Sequence, residues 1–318
     1  MKADGEVKIA YFDNSGRDDK RRWWQDCRSD RLGPCQLIPL EDSAALGCEF
    51  ALVWYPPQGR LAQLKDLKLI VSLGQGVDHL MADKSLPDGP AITRLVDPDM
   101  SHALSQWVLL NVLDYLRDGR HYRENAKERR FEAREQRQTK NLPIAVYGMG
   151  AIGLVIAQRL AAIGFDVSGW SRSERNFPEP IKSAHGKAGF DALLASCDIH
   201  ICILPLTPST TNLFDATAFA RMKKGAYFIN GGRGKQVVEA DLLAALRAQH
   251  LDGACLDVFV EEPLPPQHPF WQEPAITIWP HVAAQTNPDT AADQVAAAIR
   301  AAAEGAPLSN LVDKGRGY

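Results

Sequence analysis

The chain has 318 residues, a length that predicts two domains, and its 36 lysines and arginines nearly balance 39 aspartates and glutamates, for a formal charge of −3. Apolar residues make up 45% and charged residues 24%, as in globular proteins with a large core. This balance gives no reason to expect a nucleic-acid or membrane partner, and no apolar stretch approaches the roughly 20 residues of a membrane span. Residues 1–13 lack the features of a secretory signal, so we expect a cytoplasmic protein.

The cysteines predict neither a disulfide framework nor a metal site. All six lie far apart in the sequence, without a CxxC pair: Cys27, Cys35, Cys48, Cys197, Cys202 and Cys255. Zinc sites and small disulfide-bonded domains use closely spaced pairs. We therefore expect reduced, mostly buried thiols and no bound metal.

In the first hundred residues, short apolar runs alternate with amphipathic stretches, which is typical of an α/β protein whose parallel strands are covered by helices. Strands are predicted at residues 7–12, 50–54, 69–73 and 91–94, and helices between them, including residues 18–28. An apolar periodicity from Leu104 to Val112 then predicts a long helix. The charges of residues 117–140 alternate in sign, which favours a solvated surface over a nucleic-acid site.

A second group of strands follows this charged segment. Six are predicted, again separated by helices, at residues 144–147, 167–170, 200–204, 226–230, 253–257 and 277–279. Six strands suffice for a Rossmann-type doubly wound parallel sheet. After them, Asn287, Pro288 and Gly305 are the residue types of an N-cap, a first helical turn and a C-terminal cap, so they predict a closing helix that is available to the amino-terminal domain.

The predicted strand at 144–147 leads into a glycine-rich turn, GMGAIG at 148–153, and then into a helix, which is the context of the dinucleotide fingerprint. Gly148 permits the tight turn, Gly150 the approach of a pyrophosphate, and Gly153 the close packing of helix on strand. Ala151 and Ile152 belong to the same turn as cofactor contacts, and the N-terminus of the helix predicted at residues 154–163 offers unpaired N–H groups to the phosphates. We therefore predict a bound nicotinamide dinucleotide.

The next strand ends in Trp170-Ser171-Arg172-Ser173, with Arg175 two residues further on. NAD-binding proteins usually carry an aspartate or glutamate at this point to hold the ribose hydroxyls. Serines and arginines can instead bind a 2′-phosphate, through charge-assisted hydrogen bonds worth about 1.5–3 kcal/mol each. Ser171, Arg172, Ser173 and Arg175 therefore predict NADPH in preference to NADH; the alternative is that the arginines are ordinary surface residues.

Three ionisable side chains follow the last three predicted strands. Arg233 lies in Asn230-Gly231-Gly232-Arg233-Gly234, Glu262 precedes Pro263, and His281 follows Pro280. Ligands of open α/β sheets bind at the carboxyl ends of the strands, so these side chains are expected beside the nicotinamide. Each alone has an ordinary structural explanation, and it is their joint occurrence that points to catalysis.

This set suits the reduction of a 2-keto acid. Arg233 would bind the substrate carboxylate and polarise the carbonyl. His281 would give a proton to the carbonyl oxygen as hydride arrives, since an imidazole titrates near neutral pH. Glu262 would hydrogen-bond the other ring nitrogen and favour the protonated ring.

Several segments together resemble the D-isomer-specific 2-hydroxyacid dehydrogenases: LIVSLGQGVD (69–78), the glycine turn (148–153), LPLTPSTTNL (204–213), INGGRGKQVVEADL (229–242), LDVFVEEPLP (256–265) and PHVAAQT (280–286). Within the family, ALVWYPP (51–57), the serine–arginine segment at 170–172 and RGY (316–318) look most like the glyoxylate/hydroxypyruvate reductase A subgroup. The resemblance implies NADPH-dependent reduction of small 2-keto acids, glyoxylate and hydroxypyruvate, to D-2-hydroxyacids, with His281 as the general acid.

The resemblance also implies a domain arrangement. Residues 1–98 and 285–318 would form a smaller, flavodoxin-like α/β substrate domain, and residues 99–284 the cofactor domain, with the active site in the cleft. It further implies a homodimer joined through the cofactor domain.

The remaining site residues come from the same resemblance. In the cofactor domain, Leu204, Pro205 and Asp257 would contact the dinucleotide, Asp257 by holding the nicotinamide carboxamide. In the substrate domain, Trp54 is a candidate pocket wall, with an ordinary core position as the alternative. The N–H groups of four loop residues would bind the substrate carboxylate: Gly74, Gln75, Gly76 and Val77.

Two departures from the family pattern leave alternatives open. Gly231-Gly232 is more glycine-rich than the usual residues before the arginine, and residues 101–106 differ from the subgroup near the substrate. One alternative is a dehydrogenase of another 2-hydroxyacid, such as a phenylpyruvate-type substrate. The other is a non-catalytic NAD(P)-sensing binding protein of the same fold.

Overall fold

The computed structural model of the protein describes residues 6–14 and 19–318 and divides into two compact units. One unit comprises Met1–Asp99 and Thr286–Tyr318, and the other comprises Met100–Gln285. Each unit has its own parallel sheet. Residues 1–5, on which part of the signal-sequence prediction rests, and Asp18, where the first helix is predicted to begin, lie outside the described residues.

Strands and helices alternate through both units. The strands are β1 (Val7–Asp13), β2 (Cys35–Pro39), β3 (Phe50–Trp54), β4 (Leu69–Ser72), β5 (Ala91–Arg94), β6 (Ile144–Tyr147), β7 (Val167–Ser171), β8 (Lys182–His185), β9 (Ile199–Cys202), β10 (Ala226–Asn230), β11 (Leu251–Leu256) and β12 (Ile276–Ile278). The helices are α1 (Asp19–Leu32), α2 (Asp78–Met81), α3 (Pro98–Leu116), α4 (Gly119–Lys127), α5 (Ala151–Ala162), α6 (Gly186–Ser196), α7 (Ala216–Arg221), α8 (Glu239–Arg247) and α9 (Pro288–Glu304).

The sheet of the first unit has the strand order β2-β1-β3-β4-β5, and all its pairs are parallel. This is the flavodoxin order, so the prediction of a flavodoxin-like α/β fold is confirmed. The edge strand β2 is missing from the sequence-based prediction. It has only five residues and ends in a proline, and the single signal for it is the Gly33-Pro34 turn directly before its buried Cys35 and Leu37.

The sheet of the second unit has the order β12-β11-β10-β9-β6-β7-β8, again all parallel. It contains the doubly wound order of a Rossmann fold, which confirms the predicted fold class. The predicted number of six strands is wrong, because β8 pairs with β7 at the edge. The side chains of β8 are partly or fully exposed, so no apolar run marks this strand in the sequence.

The central strands of the second unit are buried on both faces. All four residues of β6 and all five of β10 are buried. Parallel strands of this kind lie between two layers of helices and are therefore continuously apolar in sequence. This is why the sequence predicts both strands with the bounds that the structure has.

Several predicted helices and the predicted charged segment are also present. α3 is the long helix expected after residue 100, and the side chains of residues 128–136, after α4, are exposed, as the alternating charges predict. At α9, the Asn287 side chain accepts a hydrogen bond from the N–H of Asp289, and Gly305 ends the helix at a φ of +68°. α9 packs against α1 and β4 within the first unit.

Five cysteines have side chains that the structure describes, and all are buried free thiols, as predicted: Cys35, Cys48, Cys197, Cys202 and Cys255. The side chain of Cys27 lies outside the description. Within residues 6–14 and 19–318, no three histidine, cysteine or acidic side chains are grouped so as to hold a metal ion. Among the described helices, none combines the length and the apolar character that crossing a bilayer requires.

A histidine is fully buried in the second sheet, one strand from the glycine turn. Nδ1 of His200 lies 3.0 Å from the hydroxyl of Tyr147, the residue before Gly148. Burial, helped by the charge of Lys223, lowers the pKa of His200 to about 3, although a hydrogen bond with the Cys197 backbone opposes this shift. The ring is therefore neutral in the folded protein throughout the physiological range.

We expect His200 to make the fold sensitive to acid. The unfolded chain binds a proton on this ring below about pH 6.5 and the folded protein does not, so stability falls as pH decreases from about 6.5 towards 3. One such group contributes a slope of about 1.4 kcal/mol per pH unit. Urea unfolding of the wild type and His200→Gln between these limits should give a shallower pH dependence for the variant, which keeps a partner for Tyr147; equal slopes would contradict the prediction.

Candidate active site

The loops that follow β10, β11 and β12 carry Arg233, Glu262 and His281. These strands are parallel neighbours, so their carboxyl ends lie along one edge of the sheet. Nδ1 of His281 lies 2.7 Å from Oε2 of Glu262, and the positive charge of Arg233 acts on the same carboxylate. The structure thus brings the three ionisable residues together.

The hydrogen bond between His281 and Glu262 assigns different tasks to the two ring nitrogens. Nδ1 bonds the carboxylate, so Nε2 is the nitrogen that can face a ligand. Each of the two side chains is 34% exposed, which leaves the pair accessible to a small molecule.

Glu262 is held in its ionised form. Burial alone would raise its pKa, but the hydrogen bond and charge of His281 lower it below the usual value. The N–H of Phe259, which donates to Oε1 at 2.9 Å, and the charge of Arg233 act in the same direction. Glu262 thus presents an ionised carboxylate oxygen to Nδ1 of His281.

Asp257, at the end of β11, positions the histidine through the backbone. Its Oδ1 accepts hydrogen bonds from the N–H groups of Val282 (2.8 Å) and Ala283 (3.1 Å), and its Oδ2 accepts one from Ala283 (3.1 Å). The N–H of His281 donates to the backbone carbonyl of Asp257 at 2.9 Å. His281 adopts a left-handed φ of +54°, and these bonds hold that conformation.

Asp257 is itself only 2% exposed. Burial raises its pKa above the ordinary value, and the nearby Glu262 adds to this, although the Val282 and Ala283 N–H groups and the charge of His281 oppose the shift. Asp257 therefore supports the histidine loop in this structure, and its contact with a nicotinamide stays a prediction.

The Arg233 loop is packed tightly between its neighbours. A Cβ at Gly234 would lie 1.9 Å from the backbone carbon of Phe259, so the loops after β10 and β11 touch along their backbones. The N–H of Arg233 donates to Oε1 of the fully buried Gln236 at 2.9 Å, and Nη1 of Arg233 donates to the carbonyl of Gly232 at 2.8 Å. These contacts fix the backbone from which the guanidinium extends.

The glycine turn has the geometry of a dinucleotide loop. Gly148 has a φ of +104°, and a Cβ there would lie 2.6 Å from the carbonyl oxygen of Ile203. A Cβ at Gly153 would lie 2.0 Å from the carbonyl oxygen of Gly148, whereas one at Gly150 would meet no heavy atom within 4 Å. The space beside Gly150, where α5 begins, is therefore open to a phosphate group, and the N–H groups of Ala151 and Ile152 belong to this helix N-terminus.

The end of β7 lies beside this turn, since the N–H of Gly148 donates to the carbonyl of Trp170 at 3.2 Å. The Ser171 hydroxyl donates to the carbonyl of Ser173 at 2.8 Å, and Nη1 of Arg175 donates to the carbonyl of Met149 at 3.0 Å. Arg172 and Ser173 are exposed. The predicted 2′-phosphate residues are thus next to the glycine turn, one of them in direct contact with it.

Leu204 and Pro205 follow β9, the strand between β6 and β10. The hydroxyl of Thr210 donates to the carbonyl of Pro205 at 2.7 Å and accepts from the N–H of Thr207 at 2.8 Å, which closes the turn. The carbonyl of Leu204 accepts a hydrogen bond of 2.7 Å from Nε2 of Gln236. The loop after β9 is thereby tied to the Arg233 loop.

The predicted substrate residues of the first unit also lie at strand ends. Trp54 ends β3 and its ring packs on Gly74, where a Cβ would lie 2.4 Å from the ring. At the end of β4, the fully buried Ser72 donates a hydrogen bond to the carbonyl of Gly76 at 3.1 Å. This bond closes the turn that contains the predicted carboxylate-binding residues: Gly74, Gln75, Gly76 and Val77.

Two supporting residues, Gln236 and Ser72, are not anticipated by the sequence analysis. Each has a local partner: the N–H of Arg233, three residues before Gln236, and the carbonyl of Gly76, four residues after Ser72. Gln236 also bonds the carbonyl of Leu204, 32 residues away, which the sequence does not indicate. A buried polar residue must be hydrogen-bonded, but the burial of these two positions is known only from the fold.

The family is decided by comparison with known proteins. The family model described as "D-isomer specific 2-hydroxyacid dehydrogenase, NAD binding domain" matches residues 109–283. The chain belongs to the D-isomer-specific 2-hydroxyacid dehydrogenase family. A glyoxylate/hydroxypyruvate reductase A from Yersinia enterocolitica is 38% identical over 300 residues, which cover 93% of this chain and 96% of the relative. The predicted family and its glyoxylate/hydroxypyruvate reductase A-like subgroup are thus confirmed.

Solved structures of this dehydrogenase family share the whole fold. A D-isomer specific 2-hydroxyacid dehydrogenase from Xanthobacter autotrophicus, in complex with NADPH and MES, has a TM-score of 0.91 and 35% identity, covering 99% of this chain and 100% of that one. An NADPH-dependent glyoxylate/hydroxypyruvate reductase from Sinorhizobium meliloti, in complex with NADP and sulfate, has a TM-score of 0.90 and 34% identity, covering 98% and 100%.

We expect two alanine substitutions in the glycine turn to differ in their effect on stability. Gly153→Ala forces a Cβ against the Gly148 carbonyl oxygen, and overpacking of this kind costs about 1–3 kcal/mol. Gly150→Ala meets nothing and should change the unfolding free energy by less than about 1 kcal/mol. Chemical denaturation of both variants measures the difference, and equal losses would contradict the geometry of the turn.

Proposed function

We propose that the protein reduces small 2-keto acids, with glyoxylate and hydroxypyruvate as substrates and NADPH as the hydride donor, to D-2-hydroxyacids. The observation that carries this proposal is the His281–Glu262 pair, 2.7 Å apart, at the strand end next to the Arg233 loop. The names of the relatives, glyoxylate/hydroxypyruvate reductase A and its NADPH-dependent counterpart, support the same substrates.

The chain's own residues divide the reaction into binding and proton transfer. Arg233 binds the carboxylate of the keto acid and, through its positive charge, polarises the adjacent carbonyl. His281 carries a proton on Nε2 and donates it to the carbonyl oxygen, while Nδ1 stays hydrogen-bonded to the ionised Glu262. The bound dinucleotide supplies the hydride. In the reverse direction, neutral His281 accepts the proton.

The cofactor assignment rests on the open space at Gly150 and on the charges at the end of β7. Backbone N–H groups of the turn would bind the pyrophosphate. Ser171, Arg172, Ser173 and Arg175 would bind the 2′-phosphate, and the NADPH and NADP complexes of the structural neighbours support this choice. Nearer the nicotinamide, we assign contacts to three further residues: Leu204, Pro205 and Asp257.

We assign the cofactor role to the second unit and the substrate-binding role to the first. Trp54 and the turn at Gly74–Val77 would then bind the keto acid. We also propose that the enzyme is a homodimer, as the family resemblance implies, and that it acts in the cytoplasm.

We expect His281→Asn to lower kcat for glyoxylate reduction by about 10²- to 10⁴-fold, the usual contribution of a general acid. Asparagine tolerates the left-handed backbone that position 281 adopts, so the loop is retained. Stopped-flow measurement of NADPH oxidation with glyoxylate, hydroxypyruvate and phenylpyruvate provides the comparison. NADPH binding without turnover of any keto acid by the wild type would instead indicate a sensing protein.

The pH profile gives an independent check of the same assignment. Reduction should slow as alkali removes the proton that the general acid donates, and His281→Asn should lose this decline, because the variant has no such proton. A profile of single-turnover rates that is flat through neutrality in the wild type would refute His281 as the acid.

We expect Arg172→Ala to reduce the preference for NADPH over NADH by roughly tenfold to a hundredfold, the value of one charge-assisted hydrogen bond. The readout is the ratio of kcat/KM for the two cofactors at saturating glyoxylate. Lys187→Ala, an exposed cation on α6 paired with Asp191, is the matched control and should leave the ratio unchanged. An unchanged ratio in Arg172→Ala would place the selectivity elsewhere.

A further inference from the structure

Gln236 is a fully buried amide between the loops that follow β9 and β10. Its Nε2 donates to the carbonyl of Leu204 at 2.7 Å. Its Oε1 accepts from the N–H of Arg233 at 2.9 Å and from the thiol of Cys202 at 3.1 Å. One side chain therefore connects a residue assigned to the cofactor with the residue assigned to the substrate carboxylate.

The unusual glycine before Arg233 belongs to the same arrangement. A Cβ at Gly232 would lie 2.5 Å from Oε1 of Gln236 and 3.0 Å from the carbonyl oxygen of Leu204. The amide fits only because position 232 has no side chain. The N–H of Gly232 donates to Oδ1 of Asn230 at 3.0 Å, and Nδ2 of Asn230 donates to the carbonyl of Arg233 at 3.1 Å, so the turn is held from its other side as well.

The carbonyl oxygen and the NH2 group of the Gln236 amide are both needed to satisfy the buried polar groups around it. Burial raises the pKa of the Cys202 thiol to about 12, although the Leu204 N–H opposes this, so the thiol remains a donor. The N–H of Arg233 is a second donor to the same oxygen, and the carbonyl of Leu204 requires a donor in return. A side chain at position 236 must therefore offer an acceptor to the Arg233 N–H and a donor to the Leu204 carbonyl. Any other side chain leaves one or both of these backbone groups unpaired.

We propose that Gln236 is a positioning residue that sets where the Arg233 guanidinium meets the substrate carboxylate, by clamping the backbone of Arg233 to that of Leu204. The inference rests on the proposed function for the identity of the ligand. It predicts that the side chain of residue 236 controls the affinity for a 2-keto carboxylate, although it does not touch the substrate.

The first test is Gln236→Met, which keeps the length of the side chain and removes its hydrogen bonds. We expect KM for glyoxylate, and Kd for oxalate in the NADPH-loaded protein, to rise by about 10- to 100-fold, with Kd for NADPH changed less than about threefold. Gln294→Met is the matched control. Its amide also bridges backbone groups, the N–H and carbonyl of Val96, but in the first unit, so both constants should stay at wild-type values.

The second test is Gln236→Glu, whose effect should depend on pH. A neutral carboxyl has one carbonyl oxygen for the Arg233 N–H and one hydroxyl for the Leu204 carbonyl, so it reproduces the amide; the ionised form repels that carbonyl. The charged group near the new carboxyl is Arg233, and the Cys202 thiol is neutral. The ratio of variant to wild-type kcat/KM should therefore fall at least about tenfold between about pH 5.5 and 8.5.

The outcomes separate this inference from the proposed function. A wild type that reduces keto acids, together with an unchanged oxalate Kd in Gln236→Met, overturns the role of Gln236 alone. A wild type without turnover that still binds oxalate in a Gln236-dependent manner removes the proposed function and supports the clamp. If Gln236→Met does not fold, the ratio of Gln236→Glu to wild-type kcat/KM decides, and a ratio that does not change with pH overturns the inference. A wild type that binds no oxalate overturns it as well.

Discussion

The hydrogen bond between Nδ1 of His281 and Glu262 is the interaction on which the chemistry of this site depends. It orients the imidazole and leaves Nε2 as the nitrogen that can exchange a proton with a ligand. The pair is maintained from two directions. The N–H of Phe259 and the charge of Arg233 keep Glu262 ionised, and the buried Asp257 holds the backbone on which His281 lies.

The parallel sheet of the second unit brings these residues together. Every strand of the second unit presents its carboxyl end to the same edge, so residues separated by long stretches of sequence become neighbours there. Several close contacts join neighbouring loops: Gly234 against Phe259, Gly148 against Ile203, and Gln236 against Leu204. The loops are thus packed against one another as parts of one layer above the sheet.

The sequence predicts those parts of the fold that are strongly apolar or locally constrained. The buried strands β6 and β10 appear as continuous apolar runs, and the caps of α9 are set by the backbone preferences of Asn287 and Gly305. The edge strands β2 and β8 are missed for the opposite reason. One is very short, and the other consists of partly or fully exposed residues that pair with β7 at the edge of the sheet.

The same distinction applies to the site. Arg233, Glu262 and His281 can be selected from the sequence because each follows a recognisable strand, and the glycine turn because its spacing has a mechanical reason. Gln236 cannot be found in this way. Arg233 is a partner from the same loop, but Cys202 and Leu204 belong to β9 and the loop after it, and only the folded sheet brings them within reach of the amide. Supporting residues of this kind depend on tertiary neighbours that local sequence does not encode.

Asp257 holds the His281 loop through backbone hydrogen bonds, and this has an evolutionary consequence. Its carboxylate holds main-chain N–H groups at positions 282 and 283 and makes no demand on the side chains there. Val282 is 38% exposed, so mutations can accumulate at that position while the orientation of the proton donor, His281, is preserved. Divergence within the lineage can therefore proceed one residue away from the reacting group without a compensating change.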